Sequence, residues 1–155
     1  MGLKLNLVGD EGAGRLAEAL TSNSTLIDLD LSGNEVGSAG VKWLAEALAT
    51  NSTLSTLELR YNKIEDEGAG WLVEALAINS TLSTLGLYKT QVGVAGAKRL
   101  AEALATNSSL IDVNFKWGWI IRCLAETYLN RNKANLKKKS TSLFVLLLPS
   151  LEKLF

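Results

Sequence analysis

Asp30 and Glu58 stand at matching places in two segments that read almost alike: Leu26-Ile27-Asp28-Leu29-Asp30-Leu31 and Leu54-Ser55-Thr56-Leu57-Glu58-Leu59. On adjacent strands their carboxylates lie about 4.8 Å apart, a spacing that suits paired-carboxylate chemistry. Arg60 falls on the same face and can neutralise Glu58, and that face is open rather than a pocket, so the reading preferred here is a solvated acidic strip. Other chemistries narrow quickly. The 155 residues contain no histidine, which removes Ser-His-Asp and Cys-His nucleophile sites and zinc sites built on Cys and His. The Gly93-Val94-Ala95-Gly96 stretch lacks the Lys-Ser/Thr of a phosphate loop. Asn23, Asn51, Asn79 and Asn107 each open an Asn-x-Ser/Thr triplet, but without a leader they read as parts of a repeat rather than glycosylation acceptors. The expectation is a chain that is not an enzyme and needs no metal or cofactor.

Those four asparagines begin the strongest signal in the sequence. Asn23-Ser24-Thr25-Leu26 recurs at Asn51-Ser52-Thr53-Leu54, Asn79-Ser80-Thr81-Leu82 and Asn107-Ser108-Ser109-Leu110, always at the same interval and without insertion. One unit runs Leu26-Ile27-Asp28-Leu29-Asp30-Leu31-Ser32-Gly33-Asn34 and the next Leu54-Ser55-Thr56-Leu57-Glu58-Leu59-Arg60-Tyr61-Asn62, the pattern LxxLxLxxN. A helical stretch follows, ending Leu44-Ala45-Glu46-Ala47-Leu48 or Leu72-Val73-Glu74-Ala75-Leu76. Over residues 1 to about 115 the chain resembles the ribonuclease-inhibitor class of leucine-rich repeats, shared by NOD-like receptors and Ran GTPase-activating protein. The resemblance implies an α/β solenoid (a horseshoe) of about five 28-residue repeats, with parallel strands on the concave side and helices on the convex side. It also implies that Asn6, Asn34 and Asn62 tie the turn after each strand through side-chain hydrogen bonds, a series that Thr90 breaks and Gly118 ends.

The residues themselves support that architecture. Leu29 and Leu31 alternate with Asp28, Asp30 and Ser32, the period of a strand with one buried face. Val41, Leu44, Ala47 and Leu48 recur at three- and four-residue steps, the period of an amphipathic helix. Strand, helix, strand in series gives parallel strands joined by crossovers, and no single unit can bury its leucines alone. Ala47, Ala75 and Ala103 allow close helix approach. Asn51 and Asn79 fall just past helix ends, where asparagine can adopt the left-handed conformation. Glu18, Glu46, Glu74 and Glu102 form a ladder on the helices, with Lys42 and Lys98 placed to pair with two of them. Trp43 and Trp71 share a repeat position with Arg15 and Arg99, and packing between neighbouring helices, an arginine on a tryptophan face included, is the reading there.

Charge divides the chain. Residues 1–112 carry eight Lys/Arg against fourteen Asp/Glu, a net of −6, while residues 113–155 carry eight against two, a net of +6. The overall zero argues against nucleic acid as a partner. The single cysteine, Cys123, rules out an intramolecular disulfide, and with no basic-then-apolar leader the expected compartment is cytoplasmic. Two regions are expected: residues 1–133, a leucine-rich-repeat solenoid closed by a capping helix, and residues 134–155, a basic then apolar helical tail. The run Leu143–Leu148 falls far short of the roughly 20 apolar residues of a membrane span. The tail reads as a helix packed on the open end or on a second copy, with a membrane-surface anchor as the rival reading. Aligning the repeats places Leu3 and Asn6 opposite Leu31 and Asn34, so the chain starts partway through a strand; self-association through that open strand or the apolar tail is a further expectation.

A protein partner on the concave face is the functional expectation. Outward strand positions gather Asp30, Glu58, Arg60, Tyr88, Asn114 and Lys116, with Tyr61, Lys89 and Trp117 following in their loops, and Gly86 leaving a dip beside Tyr88. Aromatic residues and arginine in one patch are typical of protein-binding hot spots. The alternatives are a regulator of a GTPase-type enzyme, which the resemblance alone suggests, and a self-assembling or architectural repeat fragment.

Overall fold

The computed structural model describes residues 1–115, 125–126 and 128–138. Helix and strand alternate along the chain: α1 (Gly9–Ser22), β1 (Asp28–Asp30), α2 (Ser38–Thr50), β2 (Thr56–Glu58), α3 (Glu65–Ile78), β3 (Thr84–Gly86), α4 (Val94–Ala103) and β4 (Asp112–Asn114). The strands form one parallel sheet in the order β1-β2-β3-β4. Its register equals the sequence repeat: Leu29 faces Leu57, Leu57 faces Leu85, and Leu85 faces Val113. Residues 1–5 run beside β1, with Gly2 bridged to Asp30 in parallel and Leu3 N–H donating to the Asp30 carbonyl at 2.9 Å.

The core lies between sheet and helices. Leu29, Leu57 and Leu85 point into it from the strands, Leu31, Leu59 and Leu87 from the positions that directly follow them, Leu44, Leu48, Leu72 and Leu76 from the helices, and all are at most 2% exposed. Each successive pair of helices packs along its length, and Ala47 and Ala75, buried in those seams, keep the spacing short.

Two asparagine series hold the repeats in register. Asn51, Asn79 and Asn107 are buried at helix ends. The Asn79 amide donates to the carbonyls of Leu48 and Asn51 in the preceding repeat, at 2.8 and 3.1 Å, while its Oδ1 accepts from Thr81 N–H and Leu82 N–H. Asn51 and Asn107 repeat the pattern. The left-handed backbone expected at Asn51 and Asn79 is not what forms: φ is −73° and −72°, with ψ near 130°. The side chain makes the turn instead, because an extended backbone lets Oδ1 reach the next two N–H groups while Nδ2 reaches back to the previous repeat.

The second series follows the strands. Asn62 Oδ1 accepts from Asn34 N–H and Val36 N–H, both at 3.0 Å, and Asn34 serves Asn6 and Val8 in the same way. At Thr90 the series changes hands: its main-chain carbonyl accepts from Ile64 N–H and Glu65 N–H, while its hydroxyl donates to the Leu87 carbonyl. At the other end, helical residues 128–138 lie against the last repeat. There Arg131 donates to the carbonyls of Leu104, Ala105 and Asn107, and Asn132 to those of Asn107 and Leu110.

Candidate functional site

The outward positions of the strands and the loops that follow them are fixed by the same register, so equivalent residues of successive repeats stand side by side. Asp30 is half-buried on β1 and opposes Glu58 on β2. Their carboxylates take different partners. Asp30 Oδ1 accepts from Ser32 N–H at 2.9 Å. Partial burial works to raise the Asp30 pKa, but the Ser32 hydroxyl and N–H and the charges of Lys4 and Arg60 outweigh it and hold the carboxyl below its ordinary value. Glu58 accepts instead from Arg60 Nε at 2.6 Å, and this bond, opposed by burial and aided by the charges of Glu58 and Asp30, raises the guanidinium above its ordinary value. Both carboxylates are thus engaged with structural partners.

The dip expected at Gly86 is filled. A Cβ there would overlap the Glu58 carboxylate, which lies over β3. Gly86 is itself buried. Its missing side chain lets Glu58 cross to the neighbouring strand and receive Arg60, so the feature is an ion-pair seat rather than a cleft.

Beside this seat stand Tyr61, Tyr88 and Lys89. The two rings meet edge to face, 5.8 Å between centroids and 82° between planes. Lys89 Nζ lies 5.2 Å from the Tyr61 ring centre and 5.5 Å from that of Tyr88. Tyr61 is 52% exposed and Lys89 is exposed beside it. Their backbones share an unusual geometry. Leu5, Gly33, Tyr61 and Lys89, one from each successive repeat, all have positive φ: 61°, 68°, 58° and 56°. Glycine takes this conformation without strain; a tyrosine or lysine there costs roughly 1–2 kcal/mol. Side chains kept in a strained loop are a recognised mark of function.

Of the sequence-predicted residues, the fold brings Asp30, Glu58 and Arg60 together on one strip and Tyr61, Tyr88 and Lys89 into one cluster. Asn114 is exposed on β4, opposite Gly86. Lys116 and Trp117 lie outside the described residues, as do Cys123 and the apolar tail. Among the described residues no helix is long and apolar enough to cross a membrane, and no group of His, Cys, Asp or Glu is arranged to hold a metal.

Sequence reasoning passed over one pair of residues. Asp10 Oδ1 accepts from Gly37 N–H and Gly40 N–H at the start of α2, and Asp66 Oδ1 does the same for Gly93 N–H and Gly96 N–H at the start of α4. The glycine-rich stretch that lacked a phosphate-loop lysine therefore does hold an anion at a helix N-terminus, and the anion is the chain's own carboxylate. A doubled period carried the signal: Asp10-Glu11-Gly12 recurs two repeats later as Asp66-Glu67-Gly68.

The parallel strands, helical crossovers and asparagine series define a leucine-rich-repeat solenoid. The leucine rich repeat family model matches residues 22–45 and 50–70. Among solved structures, the chain is similar to the leiomodin-1 actin-binding site 2, at 21% identity and a TM-score of 0.87, covering 94% of this chain and 87% of that one. It is also similar to the tropomodulin C-terminal domain of Caenorhabditis elegans, at 14% identity and a TM-score of 0.56, covering 86% and 98%. No curated protein matches the sequence.

Proposed function

We propose that this chain is a protein-binding module rather than an enzyme, and that the Tyr61–Tyr88–Lys89 cluster, together with the neighbouring Glu58–Arg60 pair, forms the centre of its concave binding surface. The observation that carries the reading is the cluster itself: two edge-to-face rings and an ammonium, with Tyr61 and Lys89 displayed from backbone that glycine would occupy at lower cost. Exposed tyrosines offer a large, stiff contact area, and interface hot spots favour them. The facing carboxylates Asp30 and Glu58 are engaged with Ser32 and Arg60 on an open strip, which speaks against acid–base catalysis.

Actin is the first partner to test, because a structure described as an actin-binding site matches this fold over nearly its whole length. Co-sedimentation with filaments and fluorescence titration with labelled monomer would be run with the unaltered chain and with a Tyr61→Ala, Tyr88→Ala double variant. Binding that weakens at least tenfold in the double variant, a loss of about 1.4 kcal/mol or more, supports both partner and site. Binding that the variant leaves intact moves the site elsewhere. No binding by the unaltered chain removes actin as the partner.

A further inference from the structure

The convex side carries a groove that this reading does not use. It lies between α1 and α2, holds about 450 Å³, and is lined by Gly14, Ala17, Trp43 and Ala47 with Glu18 and Glu46 beside them. Ala17 and Ala47 are buried, and Trp43 is 42% exposed.

The next groove along shows what the same framework does with a cation. Lys42 on α2 sets its ammonium 4.9 Å from the centre of the Trp71 ring on α3. One repeat earlier, the counterpart of Trp71 is Trp43 and the counterpart of Lys42 is Gly14. Among the described residues no cation stacks on Trp43; its ring leans over Gly14, where a Cβ would collide with it. Arg15, the one cation lining the groove among the described residues, is held by Glu11 at 2.6 Å. Glu18 and Glu46 have no ion-pair partner among the described residues, although Glu102, the counterpart of Glu46 two repeats on, has Lys98 at 3.8 Å. The α1–α2 groove thus has a part-exposed indole ring and two carboxylates, and lacks the ammonium that its neighbour draws from its own helix.

We propose that this groove receives an arginine or lysine side chain from a basic segment of a partner protein, seated on the exposed surface of Trp43 beside Glu18 and Glu46. An indole face and carboxylates attract the same cation from two sides. Residues 1–112, the repeats around the groove, carry a net charge of −6, which favours approach of a basic segment and opposes an acidic one.

The test is an NMR titration of the whole chain with a short blocked peptide alternating glycine and arginine, and with its glutamate counterpart. The Trp43 indole signal is identified by its loss in Trp43→Phe. On addition of the basic peptide that signal shifts while the Trp71 signal moves far less, and the acidic peptide shifts neither. Trp43→Leu weakens the binding about fivefold. Glu18→Gln with Glu46→Gln, at exposed positions that leave the fold intact, weakens it about tenfold, whereas Glu74→Gln does not. Three results would overturn the proposal: no shift at Trp43, equal response to both peptides, or shifts spread over the acidic surface with an affinity indifferent to Trp43→Leu. None of these variants touches the concave cluster, so failure here and failure of the concave reading are read separately.

Discussion

The helix-end seam and the strand-end loops repeat at the same interval, yet they treat sequence in opposite ways. At the seam Asn51, Asn79 and Asn107 have one identity and one set of bonds. In the loops Leu5, Gly33, Tyr61 and Lys89 share one backbone conformation and no side-chain chemistry at all. Buried main-chain groups at the seam demand a donor and an acceptor on one short side chain, and only asparagine supplies both at that reach. The loop demands only a positive φ, which glycine meets best, so every other residue there is held against a conformational preference. Invariance across repeats marks what the solenoid requires; the loop column leaves side-chain chemistry free to vary.

The largest expected effect breaks the seam. Asn79→Ala leaves the carbonyls of Leu48 and Asn51 and the N–H groups of Thr81 and Leu82 without their partner. Buried polar groups so abandoned should lower stability by about 3 kcal/mol. A thermal melt should fall by roughly 10 °C. A drop of only a degree or two would mean that water or backbone movement replaces the amide, and that the seam is less demanding than its repetition implies.

A smaller effect is expected where seam-like constraint enters the outward face of the strands. Gly86→Ala pushes its Cβ into the Glu58 carboxylate and so breaks the bond to Arg60. The expected cost is about 1–2 kcal/mol, since the carboxylate is partly buried. In a Glu58→Ala background the same change should cost much less, because the obstacle is gone. Equal costs in both backgrounds, measured by urea unfolding, would show that the strand itself rejects a side chain at this position.

The loop column offers a paired test of about 1 kcal/mol in each direction. Gly33→Ala places a Cβ on left-handed backbone and against the Leu5 side chain, and should destabilise by about that much. Lys89→Gly removes the strain and should hold or raise stability, while weakening partner binding severalfold through loss of the ammonium over the two rings. A Lys89→Gly chain that is both less stable and equally competent in binding would reverse the interpretation of the column.

The period was enough to read strand register, crossover helices and core leucines, because burial imposes them on every copy. The turn-tying role of Asn34 and Asn62 was implied by the resemblance to leucine-rich repeats, and their hydrogen bonds bear it out. The backbone at Asn51 was misread because asparagine serves two turn geometries, and only the carbonyls of the preceding repeat decide between them. Glu58 crossing onto Gly86 was not legible either. It depends on a side-chain rotamer reaching a neighbouring strand, and the glycine that permits it looks in sequence like an empty place. Tyr61, Tyr88 and Lys89 were picked out by residue type, but their mutual contact, and the backbone strain that Tyr61 and Lys89 share, emerge only in the folded chain. Asp10 and Asp66 hid behind the shorter repeat, since this carboxylate cap falls on every second helix.

The smallest effect belongs to Asp30, the carboxylate that ties the acidic strip to its own turn. Its folded pKa lies below the unfolded one, so its contribution to stability is present above the unfolded value, near pH 4, and disappears as pH falls through the folded value. Asp30→Asn keeps an acceptor for Ser32 N–H but removes the titration. The difference in stability between the unaltered chain and Asp30→Asn should therefore be constant from pH 7 to about pH 5 and shrink below pH 4. The shrinkage should be slight, because the group is only partly buried and Lys4 and Arg60 act on it through solvent. A difference that grows on acidification would mean that Asp30 is destabilised by folding, and that the strip on β1 is a repulsive surface held in place by the asparagine seam rather than a network that supports its own strand.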